Sequence, residues 1–226
     1  MAFTEKEIEE VVRRVLLGTG GASSCKCECV SDCGCDGEIP VGISNRHIHL
    51  SRADLETLFG KGYDLTPIKE LSQPGQYACK ETLTIVGPSL RPIENVRVLG
   101  PLRRASQVEI SMTDSYVLKV KPPVRESGNL EGSSPITIIG PKGVVTLSEG
   151  CIIANRHIHM SESDARCFGL KDFDRITVDV FGTRKTRWFD VQVRVSPDFR
   201  LEMHVDTDDA NAAGIGNGAK VKVVKE

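Results

Sequence analysis

The sequence predicts a mainly β protein, a sandwich or barrel with short capped helices, preceded by an amphipathic helix on a tether. Three observations carry this. From residue 38 onward, short β-branched runs such as EIPVGIS, TLTIVGP, NVRVLGP and RITVDVFG are parted by Gly and Pro. The pentad NRHIH occurs twice, at 45–49 and 155–159, and each copy runs into a helical pattern. The first 18 residues repeat their apolar positions with a helical period, whereas residues 19–37 are small, polar and rich in turn formers.

Taken in order, residues 1–18 place Ile8, Val11, Val12, Val15 and Leu16 on one face. Thr4 and Glu7 have the spacing of a capping box, and Gly18 and Gly20 end the helix. A sticky helix on the flexible linker 19–37 suits docking on another protein. It also allows the chain to self-associate as a homo-oligomer. Five of the eight cysteines (Cys25, Cys27, Cys29, Cys33 and Cys35) crowd into that linker. Their C-x-C-x-C-x3-C-x-C spacing departs from the paired C-x2–4-C of structural zinc sites, so a reduced, solvated segment is expected. Beyond residue 38, HLSRADLETLFG and HMSESDARCFG are the two segments that read as helices. Ser51/Asp54 and Ser161/Asp164 give each a capping-box pattern.

The balance of 29 basic and 31 acidic residues leaves a net charge of −2 and argues against nucleic acid as a partner. No run approaches the roughly 18 apolar residues that span a bilayer. With no apolar secretory segment near the N-terminus and few cysteines in the folded part, a reducing cytoplasm is expected.

Four of the five histidines, His47, His49, His157 and His159, lie in the two pentads. Residues i and i+2 of a strand share a face, so each H-x-H presents two imidazoles together, as a metal site requires. A second echo sets QVEISMTDS (107–115) against EMHVDTDDA (202–210), with Glu109 where His204 stands. Five histidines and Glu109 make six ligands, or three for each of two ions: His47, His49 and Glu109, then His157, His159 and His204. Three protein ligands leave an open position, the pattern of catalytic zinc; nitrogen-rich ligation favours Zn2+ and admits Co2+ or Ni2+. Arg103, six residues before Glu109, offers a guanidinium fork suited to phosphate. Arg46 and Arg156 alternate away from the histidines and read as structural.

A cupin-like metalloenzyme also uses H-x-H on a β-barrel, but its next Glu is missing at residues 52–54, and Glu162 comes too early. An amidohydrolase-like barrel needs more helices. A zinc-dependent scaffold would use saturated four-ligand sites.

The paired NRHIH, GPLRRASQVEIS and LEMHVDTDDANAA, supported by LSQPGQYA and KPPVRESG, resemble the PduL-type phosphate propanoyltransferase family, the phosphotransacylase of bacterial microcompartments. The likeness covers residues 38–226. It implies two packed β-barrels with a dinuclear zinc site between them, one barrel from 38–46 and 155–226, the other from 47–154. It implies the reversible transfer of a propanoyl group between coenzyme A and phosphate, giving acyl phosphate. Arg103 and the His157–His159–His204 ion would hold phosphate, and the His47–His49–Glu109 ion would serve the CoA sulfur. Lys69, Lys80, Arg91 and Arg125 are the cations available for the CoA tail. Residues 1–18 resemble the encapsulation peptide through which such enzymes join shell or lumen proteins inside a microcompartment.

Overall fold

The structure, a computed structural model, describes residues 37–224. The expected helix 1–18 and the cysteine cluster lie outside the described residues.

Strand β1 (Glu38–Ser44) is followed after Asn45 and Arg46 by β2 (His47–His49). Helix α1 (Arg52–Phe59) leads to β3 (Pro67–Glu70), β4 (Tyr77–Val86), β5 (Pro92–Gly100) and β6 (Gln107–Glu109). After helix α2 (Met112–Leu118) come β7 (Val124–Arg125), β8 (Ser134–Ile139), β9 (Val144–Ala154) and β10 (His157–Met160). Helix α3 (Glu162–Phe168), β11 (Arg175–Val180), β12 (Thr186–Val195), β13 (Glu202–Asp206), helix α4 (Thr207–Ala213) and β14 (Lys220–Val223) complete the chain.

The strands close two six-stranded barrels. One runs β1-β13-β10-β12-β11-β14. The other runs β4-β5-β2-β6-β9 and closes through β8, which pairs with both β4 and β9. Although β1 comes first in sequence, it joins the barrel of the C-terminal strands, with Val41 opposite Met203 and Ile39 opposite Val221. The chain then crosses to the second barrel at β2.

Period-two alternation places the core. Ile158 packs with Ile39, Val193 and Met203 in one barrel; Ile48 packs with Ile85, Val98 and Val108 in the other. Each fully buried Ile contributes on the order of 2 kcal/mol. The histidines flanking Ile48 and Ile158 point to the opposite faces, yet they too are buried. The two barrels cover each other there. Thr113 N–H donates to Asp208 Oδ2 at 2.8 Å, and Gln73 Nε2 donates to the Arg200 carbonyl at 3.0 Å, both across the junction.

Four helices are present among the described residues, where the sequence reading expected two. The additional pair, α2 and α4, carried the same signal. Ser111 caps α2 and forms a complete box with Asp114, and Asp206 caps α4. Both helices are seven residues long, as α3 is, but neither follows an NRHIH pentad, the marker that pointed to α1 and α3. The expected box at α3 is complete. That at α1 is modified: the Ser51 N–H donates to Ser106 Oγ at 2.8 Å, and Asp54 instead accepts from the hydroxyls of Ser51 and Ser106. Ser111→Ala should cost about 1 kcal/mol of stability through the lost cap, read as a lower urea midpoint at unchanged slope. A midpoint equal to wild type would mean that packing alone holds α2.

Candidate metal centre and cleft

Each barrel builds one cluster by the same construction. Two ligands are the i and i+2 residues of one strand, and the third lies directly opposite the first on the antiparallel neighbour. His47 pairs with Glu109, and His157 pairs with His204. In all four strands, a ligand stands two residues before a helix N-cap: His49 before Ser51, Glu109 before Ser111, His159 before Ser161 and His204 before Asp206. The cap fixes how the strand end turns, and so aims the ligand. Arg46 and Arg156 reinforce this, each gripping the third helical residue of the neighbouring capped helix. Arg46 holds Asp114 through Nε and Nη2 at 2.9 and 2.7 Å; Arg156 holds Asp209 at the same distances. The structural reading of these arginines from sequence fits what they touch.

The ligand atoms within each cluster lie within 4.8 Å of one another. His157 Nε2 and His159 Nε2 are 3.1 Å apart, and His47 Nε2 is 3.5 Å from Glu109 Oε2. A tetrahedral ion with bonds of about 2.0 Å has ligand separations of about 3.3 Å, so both spacings fit such an ion. The Nδ1 atoms of His47 and His157 each bond the carbonyl two residues back, Asn45 and Asn155, at 2.8 Å. That leaves Nε2 free to ligate. The Nδ1 atoms of His49 and His159 are buried without a hydrogen-bond partner, which calls for an explanation beyond packing.

Electrostatics prepare the donors. Burial, then the charges of His47 and Arg103, push His49 down to about 3. Burial and neighbouring imidazoles push His157 to about 4 and His159 to about 2, so all three are neutral at pH 7. Burial opposes charge on His47 and Glu109 alike, but their attraction wins: His47 is raised and the Glu109 carboxyl is held far below its usual range. One cluster therefore contains a carboxylate, and the other is purely imidazole. The two clusters lie near each other: Gln192, beside His157 in register, reaches Glu126, and the adjacent Ser127 donates to Glu109.

Arg103 stands beside the Glu109 cluster. Its N–H donates to the Leu50 carbonyl at 2.9 Å, and Nη1 donates to Ser127 Oγ at 2.9 Å. Ser127 in turn donates to Glu109 Oε1 at 2.8 Å. Gln107, on the same face of β6, also donates to Glu109. Arg103 and His49 line a cleft of about 280 Å³ walled by Pro74, Gly75 and Pro101. Gly100 belongs to that wall by necessity, since a Cβ there would lie 2.2 Å from the Tyr77 ring.

Sequence reasoning brought together the six ligands and Arg103. Lys69, Lys80 and Arg91 lie exposed on β3, β4 and the loop before β5, and none of them lines the cleft. Arg125 bonds the Glu131 carbonyl and Asn129. The reading missed Glu202, whose Oε2 lies 2.6 Å from His204 Nε2, and it missed Ser127 and Gln107. Gln107 and Glu202 were legible as i−2 neighbours of ligands on strands. Ser127 was not, because it arrives from a loop.

The family model described as phosphate propanoyltransferase matches residues 40–216. Similar curated proteins, each named phosphate propanoyltransferase, include one from Thermotoga maritima, 60% identical over 83% of this chain and 89% of its own. One from Listeria monocytogenes is 45% identical over 97% of this chain and 94% of its own. One from Rhodopseudomonas palustris is 43% identical over the full length of both. No helix among the described residues is long and apolar enough to cross a membrane. With twin three-ligand clusters, an adjacent guanidinium and this likeness along nearly the whole chain, the protein belongs to the phosphate propanoyltransferase family, a family of acyltransferases.

Proposed function

We propose that this enzyme transfers a propanoyl group between coenzyme A and inorganic phosphate at a pair of zinc ions. The observation that carries the reading is a pair of neighbouring three-residue clusters, each able to hold a metal ion, with Arg103 beside one of them, in a chain of this family. His47, His49 and Glu109 would hold one ion; His157, His159 and His204 would hold the other. Zinc bound there would act as a Lewis acid towards a thioester carbonyl and would ease departure of a thiolate. The protein's own residues do the rest. Arg103, held from the side by Ser127, presents its remaining N–H groups to a phosphate and orients an oxygen towards the thioester carbon. As negative charge moves from the attacking oxygen towards the sulfur, the preorganised guanidinium holds the phosphoryl group in place without reorganising. The balance is simple: a bond forms between a phosphate oxygen and the acyl carbon, the C–S bond breaks, and the proton of hydrogen phosphate ends on the departing sulfur, so CoA leaves as a thiol. No side chain carries the acyl group.

The test is thiol release from propanoyl-CoA, with and without phosphate, before and after chelation. Release should need both phosphate and metal. Release without phosphate would mean a thioesterase, and none with metal bound would favour a cupin-like or scaffold role. The amphipathic pattern of residues 1–18 supports packaging in a bacterial microcompartment. Deleting 1–18 should preserve turnover but abolish co-purification with shells; unchanged co-purification would contradict that address.

A further inference from the structure

The phosphate site has a second wall. On β12, Gln192 and Arg194 alternate with the core residues Val191 and Val193, so they share the face of the ligand histidines. The parallel register with β10 sets Gln192 beside His157 and Arg194 beside His159. The Arg194 side chain is 25% exposed, and its guanidinium lies over the Phe199 ring, which itself meets His159 at 4.3 Å between centroids. Arg194 Nε is 3.2 Å from Glu126 Oε1, and Gln192 Nε2 is 3.4 Å from Glu126 Oε2. Glu126 is the neighbour of Ser127, which holds Arg103. One dipeptide of the second barrel thus tethers two guanidiniums, one from each barrel, at the neighbouring clusters. The charge of Arg194 reaches His157, His159 and Arg103. Glu126 engages only Nε of Arg194 and Ser127 only Nη1 of Arg103, so each guanidinium keeps further N–H donors for an anion. A phosphate dianion has more oxygens than one guanidinium fork can bind.

We propose that Arg194 is a second phosphate-binding guanidinium, closing on the same phosphoryl group as Arg103 from the opposite barrel, with Glu126 holding it in place until the anion arrives. This rests on the phosphotransacylase reading above.

Steady-state kinetics with propanoyl-CoA and phosphate test it. R194Q should raise the KM for phosphate roughly ten- to hundredfold, the effect of losing a charged hydrogen bond, and leave the KM for propanoyl-CoA near wild type. E126Q should move the phosphate KM the other way, by up to about fivefold, because a competing carboxylate is gone. An unchanged phosphate KM in R194Q overturns the proposal. So does a rise confined to propanoyl-CoA, which would assign Arg194 to the CoA phosphates. Equal rises in R194Q and E126Q would reduce the pair to a structural pin and also overturn it. If R194Q folds poorly, R194K keeps charge without the fork and should show a smaller rise in the phosphate KM; no rise counts against the proposal. Should wild type lack activity, the phosphotransacylase reading fails, and calorimetric titration of wild type and R194Q with phosphate still decides the matter. Binding lost in R194Q sustains the site, and equal binding refutes it.

Discussion

Arg103→Ala is expected to lower turnover about 10²–10³-fold while the metal content stays at the wild-type level, as for loss of a preorganised charge donor. Rate and metal content separate because of how Arg103 is wired. It donates to Ser127, and Ser127 donates independently to Glu109. Removing the guanidinium leaves the Ser127–Glu109 bond and the bond from Gln107 in place, so the carboxylate stays aimed. Arg103→Lys should recover little, since an ammonium cannot present a planar fork. Assays of thiol release paired with metal analysis check this. Near-normal turnover in Arg103→Ala would remove the residue from the chemistry; loss of one ion would make it a scaffold for Glu109.

His204→Ala should shed about one metal ion per chain and lower turnover more than about a hundredfold, since even outer partners of a ligand cost 10–100-fold. The remaining His157 and His159 are adjacent on one strand and present only one edge of a tetrahedron. The Glu109 cluster shares no ligand with them, so its ion should remain. Retention of both ions in His204→Ala would refute the ligand set. Loss of both would show that the clusters fill cooperatively.

Much of the site could be read from sequence because its geometry is local. H-x-H needs only the period of a strand, and the echo of Glu109 with His204 needs only alignment of one half on the other. The mainly β class followed from β-branched runs between glycines and prolines. What escaped was long-range. The crossing of β1 into the other barrel depends on the pairing of Val41 with Met203, and no local pattern encodes that. Arg194 sits in an ordinary strand word, VQVRVS, and its place beside His159 is a matter of register. Helices α2 and α4 escaped for the opposite reason: their caps are local signals, but no repeated pentad pointed to them as it did to the equally short α3.

The crossed first strand also bears on how the chain is made. Ile39 and Val41 leave the ribosome before the other barrel strands, yet they belong in a core whose other walls include Met203 and Val221. The barrel that carries His157, His159 and His204 therefore cannot close until β14 has emerged. Until the last strands emerge, β1 waits with open edges and apolar side chains, the condition in which nascent chains aggregate or recruit chaperones. By contrast, the strands of the other barrel are complete by Ala154 and can close while the rest is still being translated. The cluster of the first-closing barrel, His47, His49 and Glu109, is thus available before that of the other.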